Sequence, residues 1–563
     1  MNISKIVLVQ PPIEDFYLTK KRTIPYGLAS IAASLIANGF DVEILDCLAN
    51  HKSKKIKLPK EFFFLKSFYG KKDMSAFSLF HAFRHFGYSY EYVGTKIREK
   101  EPFIVGISSL FTAYSNESIK TAITIKKFYP KCKIVLGGHH PTFFPEKVLE
   151  CDAIDFVLRG EGEISMTDLC EALKNDTDLK QVPGIAFREK DAYFISDSAW
   201  IPDLSAIPIP ENRLINHGFY QRKNRAATTI VASRGCPMQC SYCSVSASSA
   251  HAPFRQRSVG SILDEIKAQA KDVDVGFIDF EDENLCLNKK WFIKLFSKIK
   301  SYFKDKNVEL RAMNGLYPPA IDEEIVSLMT DCGFKTLNLS LGSTSKTQLA
   351  EFNRPDVRKA FDKALDLSQK YGLEAVSYII AAAPNQTAES SLKDLLYLAQ
   401  KRTLVGLSIF YPAPGSLDYE LCKNNKILPD NFSLMRSSAL PLDDTTTRIE
   451  AATLLRLSRI LNFMKHLMDS EGTLPELKPF YSLKNPETIN RKLLSKILLQ
   501  WFLYDGKIRG IHPNGEIYIH LADIHLTQTF INQIKNIRIQ GVKPQINPIA
   551  KGNKTCNFIC KKA

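Results

Sequence analysis

Runs rich in Val, Ile and Leu alternate with amphipathic helical segments in two separate parts of this chain. In the first part, KIVLVQ (5–10), FIVGISSL (103–110) and CKIVLGGHHP (132–141) are separated by segments such as GLASIAASLIANG (27–39). Near-continuous apolar runs are typical of parallel strands that helices cover on both faces. The pattern predicts a doubly wound (Rossmann-like) α/β domain over residues 1–185, with an insertion rich in Phe and Lys at about 50–100.

A second alternation follows a segment rich in Pro and turn residues, which we interpret as a connector over residues 186–221. Six candidate strands, each followed by a plausible helix, predict a partial (β/α)6 barrel over residues 222–445. The rest, residues 446–563, is a mixed, mainly helical region with a hairpin whose turn is expected at Asn514-Gly515. Functional residues are expected where the strands end.

Composition narrows the class of protein. The net charge of +15 is spread along the chain, and its densest run, residues 51–60, is interpreted as a solvated basic loop rather than a nucleic-acid surface. No apolar run reaches the roughly 20 residues of a membrane span, and the N-terminal segment lacks secretory features. Twelve dispersed cysteines favour reduced thiols, and we therefore expect a cytoplasmic globular protein.

Three of those cysteines, Cys236, Cys240 and Cys243, lie within eight residues after a predicted strand. A compact loop brings their sulfurs together, as metal ligation requires. A structural zinc site normally has four ligands in two close pairs, which the CxxxCxxC spacing does not supply. An iron–sulfur cluster in which one iron has no cysteine ligand explains the number of cysteines better than a zinc site does. The tail cysteines Cys556 and Cys560 could complete a structural metal site only if the chain end folds back.

The CxxxCxxC motif, with aromatic Tyr242 before its last cysteine and a partial barrel after it, resembles the radical S-adenosylmethionine superfamily. The resemblance implies that the three cysteines hold a [4Fe–4S] cluster whose fourth iron binds S-adenosylmethionine. It also implies contacts to S-adenosylmethionine from residues at the strand ends: Tyr242, Asp282, Glu283, Asn284, Asn314, Ser340, Gly342 and Pro384. In the fourth-strand motif, Gly342-Ser343 stands where many relatives have Glu-Ser, so a ribose contact there departs from the family pattern.

The N-terminal domain resembles the cobalamin-binding domain that precedes the radical barrel in one large subfamily. The elements that carry this resemblance include GISSL, LGGHHPT and DFVLRGEGE, and no GxGxxG motif for a dinucleotide follows the first strand. It implies cobalamin contacts from Ser108, Leu110, Gly137, Gly138 and His140. The DxHxxG motif, which supplies an axial histidine in many B12 enzymes, is absent after the first strand, where PPIEDFYL stands. We therefore expect no histidine ligand to cobalt from that loop.

Together these features imply a cobalamin-dependent radical S-adenosylmethionine enzyme, with a methyltransferase acting on an unactivated carbon as the first choice. In the mechanism that the resemblance implies, a 5′-deoxyadenosyl radical abstracts hydrogen and methylcobalamin supplies the methyl group. A cyclase or rearrangement enzyme with the same cofactors is the alternative, and a structural-metal nucleic-acid-binding protein is a third. The substrate class stays open among small molecules, lipids and peptides, and a flavodoxin- or ferredoxin-type protein is the expected electron donor.

Overall fold

The computed structural model of the protein describes residues 4–19, 23–248, 253–304 and 306–544. The first part of the chain contains ten strands and seven α-helices within those residues. They are β1 (Lys5–Gln10), β2 (Ile13–Asp15), α1 (Tyr26–Ala37), β3 (Asp41–Asp46), β4 (Ser53–Lys55), α2 (Leu65–Tyr69), β5 (Arg84–Phe86), α3 (Tyr90–Lys100), β6 (Ile104–Ser108), α4 (Ser115–Phe128), β7 (Lys133–Gly137), α5 (His139–Phe143), α6 (Pro145–Leu149), β8 (Phe156–Leu158), α7 (Gly162–Asn175), β9 (Ile185–Glu189) and β10 (Ala192–Ile195).

A seven-stranded sheet in the order β10-β9-β8-β7-β6-β1-β3 forms the centre of the N-terminal domain. The strands from β3 through β8 are parallel, and β9 and β10 add an antiparallel edge. Apolar side chains fill both faces of the sheet: Ile6 and Leu8 belong to one buried cluster, and Val7 and Val9 to the other. Covering helices on both faces are what near-continuous apolar strands require, and the predicted doubly wound domain is confirmed.

Two elements lie outside the segments to which the sequence assigns them. Strands β9 and β10 continue the sheet into the range interpreted as a connector, because their backbone groups complete the edge beside β8. Helix α3 falls within the predicted insertion but packs along α4 as a covering helix of the sheet. The inserted material is therefore concentrated between β3 and α3.

Strands β4 and β5 of the insertion join β2, from the loop after β1, in a small antiparallel sheet with the order β2-β5-β4. An aromatic cluster follows, in which Phe16 meets Phe62, Tyr69 and Phe83 at ring-centroid distances of 6.0, 5.4 and 5.2 Å. Phe62 and Tyr69 also belong to the buried cluster that surrounds the barrel. The insertion is thus packed against the second domain rather than projecting into solvent.

The second domain begins with a short antiparallel strand and contains the elements of the predicted barrel. They are β11 (Gln221–Arg222), β12 (Arg225–Ile230), β13 (Ser233–Arg234), α8 (Ser244–Ser248), β14 (Arg255–Gln256), α9 (Val259–Asp272), β15 (Val275–Phe280), α10 (Lys289–Tyr302), β16 (Glu309–Ala312), α11 (Glu323–Asp331), β17 (Thr336–Gly342), α12 (Lys346–Glu351), α13 (Arg358–Lys370), β18 (Glu374–Ala381), α14 (Ala388–Ala399), β19 (Leu404–Ile409) and α15 (Leu417–Asn424).

Six parallel strands, β12-β15-β16 and β17-β18-β19, make an open barrel. Isolated bridges Leu310↔Phe334 and Leu316↔Leu339 join the two halves between β16 and β17. Along β17 the leucines pack into the helix-covered core, so the alternating residues Asn338 and Ser340 face the barrel interior. The predicted partial barrel is confirmed, and its interior is polar.

The C-terminal region contains three α-helices and a short hairpin among its described residues. They are α16 (Arg448–Glu471), α17 (Arg491–Asp505), β20 (Arg509–Ile511), β21 (Ile517–Ile519) and α18 (Ile524–Ile534). Helix α16 packs on β19 and α14, and its N-terminus carries a capping box formed by Thr447 and Glu450. The hairpin pairs Ile511 with Ile517, and Gly515 in its turn has φ +87°. This region closes over the insertion and the last barrel strands.

Candidate functional site

The cysteine loop begins where the first barrel strand ends. Short strand β13 pairs with β14, and Gly235 at φ +82° then turns the chain into Cys236. The backbone N–H of Cys243 donates to the carbonyl of Cys240 at 3.2 Å, and the Ser246 hydroxyl donates to the same carbonyl at 2.8 Å. These bonds fold the loop into a compact turn that gathers the three thiols.

The three thiols interact with one another and are all free. Burial, together with the charges of the neighbouring Cys240 and Cys236, raises the pKa of the Cys243 thiol to about 11. The pKa of Cys236 is also raised, first by burial. Deprotonating adjacent, partly buried thiols is costly unless cations compensate the charge, which is what iron ligation supplies. The donor set therefore fits an iron–sulfur cluster.

A single structural ion fits this loop less well. In the described residues, no group of three or more His, Cys, Asp or Glu side chains converges on one metal-ion position. A cluster does not need such convergence, because each cysteine binds a different iron. The tail cysteines Cys556 and Cys560 lie outside the described residues.

Arg354 links the cysteine loop to the fourth barrel strand, and sequence reasoning missed it. One terminal nitrogen of its guanidinium donates to the Tyr242 hydroxyl at 2.6 Å and to the Ser340 hydroxyl at 3.1 Å, and the other donates to the Ser340 carbonyl at 3.1 Å. Its Nε is buried without a partner. Arg354 also lowers the pKa of Cys236 electrostatically, so it places a fixed positive charge beside the thiols. A single Arg in the loop after α12 carries no sequence signal for this role.

The loop after β15 holds three predicted S-adenosylmethionine contacts with different surroundings. The Asp282 carboxylate is buried and accepts hydrogen bonds from the Ser233 hydroxyl and, at 3.3 Å, from the Ala232 N–H. Asn284 accepts a bond from the Tyr317 N–H at 3.3 Å. Burial raises the pKa of Glu283 to about 7, and its charge is close enough to raise the pKa of Cys236. Of the three side chains, Glu283 lies close to the cysteine thiols. Asp282 and Asn284 instead accept hydrogen bonds from backbone N–H groups and hold those segments in place.

The remaining predicted contacts lie at the ends of β16, β17 and β18. Asn314 follows β16, and Gly342 ends β17 at φ +79° beside Arg354. Pro384 is buried after β18, where Ala382 at φ +60° and Asn385 at φ +61° adopt the left-handed conformation. Two such residues in one loop store backbone strain, which is common where a loop is shaped for a ligand. The strand ends thus share one edge of the barrel with the cysteine loop.

The predicted cobalamin contacts share the carboxyl edge of β6 and β7. Ser108 pairs with Gly137 in the sheet, and Leu110 projects into solvent with 56% of its surface exposed. Gly138 has φ +119°, and a Cβ there would lie 2.8 Å from the Ser109 carbonyl oxygen. Only glycine permits this close approach between the two loops. His140 is buried, with its ring 5.0 Å from that of Phe432.

Buried polar atoms without partners line this same edge. They are Ser109 Oγ, Thr112 Oγ1, His139 Nε2 and His140 Nδ1. Buried polar groups are nearly always hydrogen-bonded, so four such atoms at one loop cluster suit a ligand rich in amide groups. Burial lowers the pKa of both His139 and His140 to about 4, which keeps their rings neutral near pH 7. The edge therefore fits cobalamin.

The loop after β1 is tied down by other contacts. The Asp15 carboxylate accepts a hydrogen bond from the Tyr114 hydroxyl at 2.6 Å and pairs with Arg436 at 3.1 Å. Arg436 also donates to the carbonyls of Glu14 and Ala113. No histidine occurs in this loop, PPIEDFYL, as the sequence shows. Through the Asp15 carboxylate and the Glu14 carbonyl, this loop binds Arg436 of the barrel domain.

Ion pairs between the two domains meet at the cysteine loop. Arg234, two residues before Cys236, contacts Glu161 at 3.4 Å and is bonded to Glu163, while Arg255 contacts Glu161 at 2.9 Å. Glu163 also accepts a bond from the Ser30 hydroxyl at 2.9 Å. We call these four charged residues, Arg234, Arg255, Glu161 and Glu163, the interdomain clamp. The motif DFVLRGEGE supplies its carboxylates and so positions the cysteine loop.

Comparison with known proteins bears on both domains. The B12 binding domain family matches residues 80–169, and the Radical SAM superfamily matches residues 230–397, which include the three cysteines. The chain therefore carries a B12-binding domain followed by a radical SAM domain. A [4Fe–4S] cluster, S-adenosylmethionine and cobalamin are the cofactors of these two domain types, and the loop and edge described above have side chains that fit them.

The chain is similar to proteins with different activities. An uncharacterized methyltransferase of Pyrococcus horikoshii is 26% identical over 441 residues, covering 76% of this chain and 85% of that protein. An anaerobic magnesium-protoporphyrin IX monomethyl ester cyclase of Cereibacter sphaeroides is 26% identical over 311 residues, which span 54% of this chain and only 50% of the cyclase. The fold matches that of the radical S-adenosylmethionine methyltransferase TsrM from Kitasatospora setae, with a TM-score of 0.57, 15% identity and coverage of 76% and 79%.

None of the described helices combines the length and apolar character needed to cross a membrane.

Proposed function

We propose that the protein is a cobalamin-dependent radical S-adenosylmethionine methyltransferase that methylates an unactivated carbon. The observation that carries this proposal is the interdomain clamp, which joins the cobalamin-type domain directly to the loop with the three cysteines. Group transfer between cofactors requires this kind of fixed relative placement. The methyltransferase from Pyrococcus horikoshii matches over most of its length, whereas the cyclase matches over half, which favours methyl transfer.

When bound, the cluster and S-adenosylmethionine supply one-electron chemistry at a carbon–hydrogen bond, and cobalamin supplies the methyl group. The chain's own contribution is binding and orientation. Cys236, Cys240 and Cys243 would hold three irons of the cluster. Glu283 beside them would accept a charge-assisted hydrogen bond from the ammonium group of S-adenosylmethionine. The cation favours ionised Glu283, whose pKa burial otherwise raises.

The barrel interior provides polar groups for a substrate. The Tyr378 hydroxyl donates to the Asn338 Oδ1 at 3.0 Å, while Asn338 Nδ2 is buried without a partner. On the same inner face of the barrel, Arg311 on β16 donates a hydrogen bond to Asp279 on the neighbouring strand β15. We infer that Asn338 Nδ2 donates to an oxygen of the substrate, because an unpaired buried amide is costly.

We infer that the electron donor is a small flavodoxin- or ferredoxin-type protein and that the enzyme works in the cytoplasm. All ten cysteines in the described residues are free thiols, which fits a reducing environment.

Product analysis of anaerobically reconstituted protein tests the proposal. With reductant, cobalamin and a library of candidate substrates, methyl transfer yields S-adenosylhomocysteine and 5′-deoxyadenosine in about equal amounts, and the substrate gains one methyl group. Deoxyadenosine without S-adenosylhomocysteine would instead establish the cyclase or rearrangement alternative. Cys236→Ala should abolish both products. Cys332→Ala changes a cysteine at the end of α11, whose thiol donates to the Phe296 carbonyl, and should retain them.

A further inference from the structure

A basic cavity of about 430 Å³ lies between the insertion and the C-terminal hairpin. Its lining residues are Lys55, Gly70, Lys71, Lys72, His81, Ala82, Arg84 and His512. Four of them carry permanent positive charges, two more are histidines, and none is a carboxylate. None belongs to the cysteine loop or to the cobalamin edge. Of the basic run 51–60, which is largely exposed as expected for a solvated loop, Lys55 alone lines this cavity.

The charges of the basic cavity are largely uncompensated. Only Lys71 pairs with a carboxylate, that of exposed Glu516. Within the described part of the chain, Lys55, Lys72 and Arg84 make no ion pair, and the guanidinium of Arg84 donates only to the Ser53 hydroxyl, at 3.2 Å. With three unpaired cations around one cavity, this cluster is a local excess of positive charge.

Strand register places two of the cations directly opposite each other. Lys55 on β4 pairs with Arg84 on β5, so both side chains leave the same face of the small sheet. Like charges in direct cross-strand pairs destabilise a sheet. On the other side of Arg84, Asp15 is its register partner, but the Asp15 carboxylate is used by Tyr114 and Arg436. A bound anion would remove the repulsion that the sheet otherwise retains.

We propose that the basic cavity binds the diphosphate or polyphosphate group of a small molecule. Several cations around one cavity match a multiply charged anion, and the planar fork of Arg84 matches phosphate oxygens. A volume of about 430 Å³ falls within the range of small-ligand sites and exceeds the needs of a single phosphate. The concave shape favours a small molecule over an extended nucleic acid, which needs a basic surface along its backbone.

Calorimetric titration of the reconstituted holoenzyme with inorganic pyrophosphate tests this proposal. The variant Lys55→Ala/Lys72→Ala should weaken binding by about tenfold or more, because each lysine contributes a charge-assisted contact. The control Lys54→Ala/Lys57→Ala removes the same net charge from the segment around Lys55. Neither residue lines the cavity, and Lys54 points to the opposite face of β4 from Lys55. Its affinity should match that of the unmodified protein.

A second readout does not depend on any substitution. Burial lowers the pKa of His81, and the cations Lys72, Arg84 and Lys55 lower it further. Pyrophosphate in the cavity should therefore raise the pKa of His81, measured from its NMR chemical shift across a pH titration. The resonance of His525, on α18, serves as the internal reference because His525 does not line the cavity.

Several results would overturn the proposal. Absence of saturable pyrophosphate binding at about 0.15 M salt, or equal weakening by the two double variants, would show only diffuse charge attraction. Tight binding of a single-stranded RNA or of vesicles containing phosphatidic acid, without pyrophosphate binding, would assign the cations to a macromolecular surface. Because the measurement is binding, it is independent of methyl transfer, and either proposal can fail alone.

Discussion

At the end of β7, two adjacent glycines meet different constraints. Gly138 has φ +119°, and its Cβ would lie 2.8 Å from the Ser109 carbonyl oxygen, whereas a Cβ at Gly137 would come no closer than 3.8 Å to the Leu158 carbonyl oxygen. The motif LGGHHPT alone does not distinguish them. Gly138 is thus required by the fold, whereas Gly137 leaves room for a ligand.

We expect Gly138→Ala to destabilise the N-terminal domain and to abolish cobalamin binding, because the β7–α5 turn must shift away from the β6 loop. Gly137→Ala should fold normally. Thermal unfolding and cobalamin absorbance after reconstitution measure the two effects. Equal unfolding temperatures for the two variants would contradict this assignment.

The buried histidines predict a pH dependence of stability. The folded pKa of His139 and His140 is lowered to about 4, below the ordinary value of 6.5, so between those values the unfolded chain binds more protons. These two histidines should make the free energy of unfolding rise with pH from about 4 to about 6.5. Above that range they should contribute little further change. His140→Gln should reduce the slope, measured as the difference in thermal midpoint between about pH 5 and about pH 7. An unchanged slope would show that His140 does not titrate as described.

The candidate site is formed by residues at the ends of strands and in the loops that follow them, rather than by residues inside the strands. Strands β12, β15 and β17 were predictable because their apolar alternation and length are local properties of the sequence. Strands β9 and β10 were assigned to a connector because they are short and lie in a segment rich in Pro and turn residues, and only the free edge of β8 makes them part of the sheet. Local patterns cannot reveal a partner that the fold supplies.

Asp282 connects the loop after β15 to the segment that leads from β12 into the cysteine loop. Its carboxylate, after β15, receives the Ser233 hydroxyl and the Ala232 N–H that lead into the cysteine loop. Asp282→Ala leaves both donors buried without an acceptor, at a cost of about 1–3 kcal/mol. We expect iron and sulfide content after reconstitution to fall, with Asp282→Asn losing less.

The matched control for Asp282 is Asp264→Ala on α9, whose side chain is exposed and lies 3.9 Å from Lys267. Full cluster content in Asp282→Ala, measured before S-adenosylmethionine is added, would show that Asp282 does not support the loop.

Over the whole molecule, the two cofactor domains are joined by buried charge as well as by apolar packing. The three cysteines and the glycines of the β7 loop were identifiable because each motif is contiguous in sequence. Arg354 and Arg234 were not, since each reaches its partners only after two barrel strands or two domains come together. Charge pairing across domains has no local sequence signature.

Glu163→Ala tests the interdomain clamp. It leaves Arg234 without its bonded carboxylate in a largely buried setting, and we expect a loss of about 3 kcal/mol in unfolding free energy together with lower cluster content. Glu171→Ala, on the exposed part of the same helix α7, should change neither quantity. Equal stability of the two variants, measured by denaturant unfolding, would contradict a structural role for the clamp.

The clamp also limits how this architecture can be recombined. A chimera that joins this barrel to the cobalamin domain of another protein would place Arg234 and Arg255 against a foreign surface. Unless that surface supplies carboxylates at the positions of Glu161 and Glu163, two guanidinium groups lose their partners at the base of the cysteine loop. Engineered exchanges of methyl-donor domains should therefore carry the helix α7 N-terminus with the barrel, as one transferable unit.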